Sequence, residues 1–290
     1  MSTATPHLDY LTWCLARPGS SHRVELAGNM IHYLEWPGPA DAPCLLLIHG
    51  FMGHAHWWDF VAPVLAENYR VISMDLGGMG DSGYREKYSL ADFVAEIAGV
   101  IAHAKLAPVT IVGHSFGGRC TILTAHAHPE SIERIIVVDS HVGFRDEDHK
   151  RRFNREQRHE KKRYVDLRSA KLRFRLVPDE SGADPLVLDH VATHSLKAEN
   201  GAYVWKFDEA VMERMPRPEI TDAQALPLLK MPMDYVCGEH SIVSPLEHAK
   251  KIVAAARNCR GPIVVPAAHH HVPIGQPLGL VCALRALLAK

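Results

Sequence analysis

Apolar residues along this chain fall into two alternating rhythms. Short unbroken apolar runs recur at 44–48 (CLLLI), 109–112 (VTIV) and 134–138 (RIIVV). They do not alternate apolar with polar, so they predict strands covered on both faces, as in a parallel sheet flanked by helices. Between them lie helix-period stretches: an amphipathic one from Trp57, and a clearer one, SLADFVAEIAGVIAHA, whose first residue, Ser89, is placed to cap it. Two earlier runs, RVEL and MIHYLEW, predict an antiparallel edge, and YRVISM at 69–74 predicts a further strand. The strand–helix alternation assigns the chain to the α/β class.

After Asp139 the rhythm breaks. Residues 145–175 hold thirteen Lys or Arg against six Asp or Glu, and a helical pattern replaces the alternation. It resumes with MDYVC at 233–237, a helix after Pro245, the strand PIVV at 262–265 and a last helix from Pro277. The expectation is a core domain of 1–140 and 226–290, with a helical cap, 141–225, inserted after strand 6. The basic cap sequence is read as a solvated helix, docked through Phe153, Tyr164, Leu167, Leu172, Phe174 and Leu176.

Composition narrows the function without naming it. Over 290 residues, 47% are hydrophobic and 22% charged, with a formal net charge of −1. Such a balance excludes a disordered chain and gives no global pull toward nucleic acid. A small-molecule substrate is expected, with no nucleic-acid or membrane partner; a homodimer is compatible with the chain. The opening residues lack the basic and apolar regions of a secretory signal, and no uninterrupted apolar run is long enough to span a membrane, so a cytoplasmic protein is expected. The six cysteines include no CxxC pair, which predicts buried, reduced thiols.

Chemistry is concentrated in Gly113-His114-Ser115-Phe116-Gly117, between the 109–112 strand and a helix-forming segment. A serine in a sharp strand-to-helix turn has its hydroxyl presented at the sheet edge, and glycines beside it let strand and helix approach closely. The helix behind it aims free N–H groups at a developing oxyanion, with the Phe116 N–H as one donor. A second donor is expected from His49-Gly50-Phe51-Met52-Gly53, through the Phe51 N–H. Trp57, Trp58, His114 and Trp205 are candidates for the substrate pocket, with Tyr203 beside them. Ser115 also needs a base, and His269, His270 and His271 stand together late in the chain. Adjacent side chains in an extended loop diverge, so these three histidines are not expected to share a metal ion.

The ordered set HGF, DLGGMGDS, GHSFGG and HHHVPIGQP resembles the α/β-hydrolase superfamily over nearly the whole chain outside the cap. The resemblance implies a Ser-His-acid triad, no cofactor and no metal. It selects His270 as base, because the histidine commonly lies seven residues before the proline that opens the last helix, here Pro277. Where relatives often carry a catalytic aspartate in G-E-D-D, this chain reads Gly238-Glu239-His240-Ser241. Some relatives place the acid after the sixth strand instead, which points to Asp139, with Glu239 in reserve. The family's D-x-R-G-x-G-x-S also departs here, with Gly77 where arginine is common, and implies a lost salt bridge. The activity implied is ester hydrolysis through an acyl-enzyme. Carbon–carbon bond hydrolysis, lyase chemistry, cofactor-free oxygenation and a non-enzymatic binding role stay open.

Overall fold

The unbroken apolar runs become the middle of one sheet in the computed structural model, which describes residues 6–143, 162–180, 182–212, 215–216 and 218–289. In chain order the strands are β1 (Ser20–Leu26), β2 (Asn29–Trp36), β3 (Cys44–Ile48), β4 (Arg70–Met74), β5 (Val109–His114), β6 (Ile132–Val138), β7 (Leu196–Glu199), β8 (Ala202–Trp205), β9 (Met233–Gly238) and β10 (Cys259–Val265). Eight of them form a sheet in the order β1-β2-β4-β3-β5-β6-β9-β10. β1 and β2 are the expected antiparallel edge, and β4, β3, β5, β6, β9 and β10 run parallel.

The helices are α1 (Pro6–Leu15), α2 (Ala62–Leu65), α3 (Leu90–His103), α4 (Phe116–Ala127), α5 (Leu167–Lys171), α6 (Pro185–His194), α7 (Asp222–Ala225), α8 (Leu246–Ala255), α9 (Val272–Gly275) and α10 (Pro277–Leu288). On β3, Leu46 and Ile48 pack with Phe93 and Ile97 of α3 on one face, while Leu45 and Leu47 share the opposite core with Leu280 and Leu284 of α10. Neither face meets water, which is why these runs have no polar alternation. The α3 cap is a full capping box: Ser89 Oγ accepts from the Asp92 N–H, and the Asp92 carboxylate accepts from the Ser89 N–H. Removing such a cap costs about 1 kcal/mol.

Three expectations change. The stretch from Trp57 is not an amphipathic helix but a 3-10 turn (Ala55–Trp58) followed by the single turn of α2; residues 57–65 are buried throughout and offer no wet face. The segment between β6 and β9 is not wholly helical either. α5 and α6 are followed by an antiparallel hairpin, β7–β8, turned by Asn200 (φ 50°) and Gly201 (φ 75°). Asn-Gly is the dipeptide that supplies two consecutive left-handed residues, so the signal was present in the sequence. Finally, the departure at Gly77 does not leave an acid without a cation: buried Glu96, which accepts the Gly77 N–H, pairs with Arg85 at 3.1 Å.

Much of the basic cap sequence, including Phe153, lies outside the described residues. Of its described apolar positions, Leu176 is buried and Leu172 is exposed, so the expected docking stripe is incomplete. All six cysteines are free thiols. Among the described residues no helix is long and apolar enough to cross a membrane.

Candidate active site

Ser115 stands between β5 and α4 with φ 51° and ψ −115°, a conformation that L residues rarely adopt. Holding a non-glycine residue there costs on the order of 1–3 kcal/mol and requires fixed surroundings. They are fixed on both sides: the Ser115 N–H donates to the Val138 carbonyl (2.9 Å), and its own carbonyl accepts from the Ser140 hydroxyl (2.6 Å) and the Gly118 N–H (3.0 Å). Gly117 makes the turn possible, because a Cβ there would run into the Ile48 and His49 carbonyls.

The loop after β3 lies against this turn. A Cβ on Gly50 would approach Ser115 Cβ to 3.2 Å and His114 Nδ1 to 2.8 Å. His49 Nδ1 donates to the Gly50 carbonyl (2.7 Å), while its Nε2 accepts the Leu76 N–H (3.1 Å). Burial pushes the His49 pKa down, keeping the neutral ring that this one-donor, one-acceptor arrangement requires. The Gly50 carbonyl also accepts the Gly53 N–H at 3.0 Å. In a trans peptide the N–H opposes the carbonyl, so anchoring the Gly50 oxygen on His49 turns the Phe51 N–H the other way. The Phe51 and Phe116 rings meet edge to face at 5.5 Å, joining the two loops that carry the candidate oxyanion donors.

β6 is followed directly by Asp139, which is fully buried and has φ 47°. Its Oδ1 accepts from His270 Nδ1 (2.8 Å) and the Ser241 hydroxyl (2.6 Å), and its Oδ2 accepts the Gly238 N–H (2.7 Å). Burial pushes the Asp139 carboxyl up to about 7, against the opposing pull of the Ser241 and Gly238 donors. Glu239, the reserve acid, is half exposed and accepts the Ala267 N–H instead. Ser241, which stands where many relatives carry the acid, here donates to it. The His270 ring lies 4.9 Å from the His114 ring, and its backbone carbonyl accepts from His114 Nε2 at 2.8 Å, tying the late loop to the residue before Ser115.

One contact in this site was not legible in sequence. Glu180, from the β6–β9 segment, accepts the His270 N–H on Oε1 (2.9 Å) and the His271 N–H on Oε2 (3.1 Å). Its Oε2 is also 3.0 Å from His271 Nδ1, an ion-pair distance without hydrogen-bond alignment. Burial raises the Glu180 carboxyl, but the His271 contacts outweigh it and hold the group below its ordinary value. The three consecutive histidines diverge: His270 faces Asp139, His271 faces Glu180, and His269 packs near His240 at 5.5 Å between ring centres.

The expected pocket residues separate. Trp58 is sealed in the core, and Trp57 is buried with its ring 5.9 Å from His114 and 5.5 Å from His271. His114 is fully buried, with Nδ1 lacking a hydrogen-bond partner. All three are buried, Trp57 and His114 around the Ser115 turn and the late histidine loop. Trp205 lines a cavity of about 900 Å³, together with Tyr164, Phe174 and Phe207. Its wall reaches the 50–54 loop through Met52 and His54, but among the described residues it includes neither Ser115 nor His270. Lys162, Arg173, Arg175 and Lys206 make the lining cationic, against Glu209 alone. Tyr203 is tied by backbone bonds to Tyr164.

A second serine–histidine contact, His54 Nε2 to Ser195 Oγ at 2.9 Å, has different chemistry. The Ser195 hydroxyl donates to the Val191 carbonyl (2.8 Å), so His54 donates to this oxygen instead of drawing its proton. Burial also pushes His54 well below its ordinary pKa. This pair is a wall contact.

Residues 43–277 match the family described as alpha/beta hydrolase fold. The chain is similar to the sn-1-specific diacylglycerol lipase ABHD11 of Mus musculus, at 27% identity over 46% of this chain and 47% of that protein. It is similar to a putative esterase/lipase of Haemophilus influenzae, at 29% identity over 47% and 48% respectively. The match spans about half the length of these curated relatives. Among solved structures, that of E-2-(acetamidomethylene)succinate hydrolase superposes with a TM-score of 0.81 at 20% identity, over 94% of this chain and 100% of the other. A novel esterase from Mycobacterium tuberculosis gives 0.75 at 22% identity over 100% of both chains.

Proposed function

Because this chain belongs to the alpha/beta hydrolase fold family, we propose that it is a serine hydrolase cleaving a carboxylic ester, or a similar acyl bond, of a small molecule. The observation that carries this reading is the 2.8 Å hydrogen bond from His270 Nδ1 to buried Asp139, beside a Ser115 held at φ 51°. Esterase and lipase relatives support the same class.

Ser115 Oγ attacks the substrate carbonyl while His270 Nε2 takes the hydroxyl proton. Asp139 holds the imidazole by its Nδ1–H and stabilises the imidazolium. The tetrahedral oxyanion accepts from the Phe51 and Phe116 N–H groups, each such donor being worth roughly 3–4 kcal/mol in acyl transfer. Collapse breaks the acyl–oxygen bond, and His270 returns the proton to the leaving alcohol. Water, deprotonated by His270, then attacks the Ser115 acyl-enzyme; the acid leaves and the proton goes back to Ser115. The cationic cavity favours substrates with a carboxylate or phosphate on the part distant from the scissile bond.

The test is intact-protein mass spectrometry after fluorophosphonate treatment, beside initial rates on short and medium p-nitrophenyl esters. The parent gains one adduct and turns over; Ser115→Ala gains none and loses turnover by ~10⁶-fold, as when a triad serine is removed elsewhere. A parent that neither labels nor turns over would overturn the reading in favour of lyase, oxygenase or binding chemistry.

A further inference from the structure

Away from Ser115, four side chains that no step above uses converge where the core meets the β6–β9 segment. His56 and Asp59 come from the 3-10 turn before α2 and the residue that closes it, and His190 and His194 from successive turns of α6. One potential ligand atom from each lies within 4.8 Å of all the others. Asp59 Oδ2 accepts from His56 Nδ1 and His190 Nε2, both at 2.7 Å. Asp59 Oδ1, by contrast, is buried with no hydrogen-bond partner. The His194 ring lies over that of His56, with centres 3.6 Å apart.

We propose that His56, Asp59, His190 and His194 form a binding site for one divalent transition-metal ion, with Zn²⁺ the best chemical fit. Three imidazoles and a carboxylate are a zinc-type donor set, and residues four apart on a helix put two of them on one face. Bond lengths of about 2.0–2.2 Å place tetrahedral ligand atoms roughly 3.4 Å apart. The 2.7 Å contacts open slightly, wider separations close, and the stacked rings of His56 and His194 splay toward the ion. The buried, unpartnered Asp59 oxygen is the feature that a hydrogen-bonded cluster leaves unexplained and a cation satisfies. All three histidines are only partly buried, so an ion has a route in.

The other comparable group among the described residues, His32, Asp75 and Asp81, shows the contrast. There both Asp75 oxygens are taken: Oδ1 by the Ala55 N–H, Oδ2 by His32 and the Asp81 N–H, and Asp81 pairs with Lys206. It is closed without an ion. The proposed site instead joins two segments 131 residues apart in sequence. It also lies next to the His54–Ser195 contact on the cavity wall, His54 and Ser195 being near neighbours of His56 and His194 in the chain. A bound ion would therefore pin that wall to the core.

The experiment titrates the chelator-stripped full chain with Zn²⁺ against a chromophoric competitor, and follows thermal unfolding with and without Zn²⁺. One tight site per chain is expected, with an unfolding midpoint raised by several degrees. His194→Ala should weaken that site by at least ~100-fold, since even outer-shell losses at metal sites cost 10–100-fold. Asp59→Asn, which keeps side-chain volume, should do the same and serves if the first variant folds poorly. Absence of a tight site in the parent would overturn the proposal. So would tight binding that survives in both variants, which would place the ion elsewhere, for instance at His269–His271.

Discussion

The two sides of this site are built differently. On the sheet side, Ser115, Asp139 and the Gly50–Met52 loop sit at the ends of β5, β6 and β3, and three of these residues, Met52, Ser115 and Asp139, hold positive φ. Backbone bonds from neighbouring strands fix Ser115 (to Val138) and Asp139 (to Val236), so their positions follow from the register of a buried sheet, while His49 and the Gly53 N–H anchor the loop at the Gly50 carbonyl. On the side of the β6–β9 segment, attachment combines buried Leu176, Val187, Val191 and Val211 and the backbone bonds of Gly80 to Lys206 and Asp208 to Gly78 with polar side-chain contacts: Glu180 to the His270 and His271 N–H groups, His190 to Asp59, Lys206 to Asp81, and Tyr88 to Asp208. The first side can store strain because packing over-determines it. The second adds polar side-chain contacts, each replaceable at modest cost, to its buried residues, and suits positioning and selectivity better than bond-making.

The contrast is broken most severely at Asp139. Asp139→Asn should lower ester turnover by ~10⁴-fold, as in other triads where the acid becomes an amide. Its stability relative to the parent should rise with pH. The carboxyl is raised from an ordinary 3.8 to about 7, chiefly by burial, so the folded chain binds this proton more tightly than the unfolded chain. Stability from this group is therefore full below 3.8 and is lost as pH rises through about 7. The amide carries no such penalty. Thermal melts should show Asp139→Asn gaining on the parent as pH rises from 4 to 8, on top of a fixed cost from turning an NH₂ group toward the Ser241, Gly238 and His270 donors. A stability gap that stays constant over this range would show that the Asp139 carboxyl is not raised by burial, and full turnover in the variant would remove the sheet side's claim to the chemistry.

Glu180→Gln sharpens the comparison at the next level down. The amide retains one acceptor for the His270 N–H but turns an NH₂ group toward the donors of His271. It should reduce kcat by about tenfold with little change in KM, in line with losing a charge-assisted hydrogen bond worth roughly 1.5–3 kcal/mol. The Glu180 charge is also one of the influences holding the Asp139 carboxyl up, so its loss should shift the acid limb of the rate profile to lower pH. A role confined to packing would leave that limb in place.

Glu180 also marks where sequence reading ran out. The sheet strands were legible because burial on both faces gives each an unbroken apolar run. The strand-to-helix turn at Ser115 was legible because it demands glycine neighbours, and the place of Asp139 because it follows such a run. Glu180 lies in a charged stretch with no periodicity, and its partners are backbone N–H groups 90 and 91 residues away, which no side-chain pattern records. Trp57 and Trp58, offered by the sequence for a pocket, are both buried: aromatic residues signal burial, and a backing layer and a binding wall look alike in sequence. The hairpin was written in Asn200-Gly201 but lies in a segment whose earlier, basic part, 145–175, set a helical reading for the whole.

The smallest effect separates the two sides by substrate rather than by rate. Arg173 is exposed on the cavity wall, where solvent screening limits a charge contact to about 1 kcal/mol or less. Arg173→Ala should raise KM for a p-nitrophenyl ester with a carboxylate at the far end of its acyl chain by roughly three- to fivefold. The neutral ester of equal length should be unaffected, and kcat should hold for both. The difference should shrink as salt is raised, because the Debye length falls to about 3 Å at 1 M. Equal KM changes for the charged and neutral esters would instead assign Arg173 to packing of the wall. The β6–β9 segment would then keep its positioning role through Glu180 but lose its part in choosing the substrate.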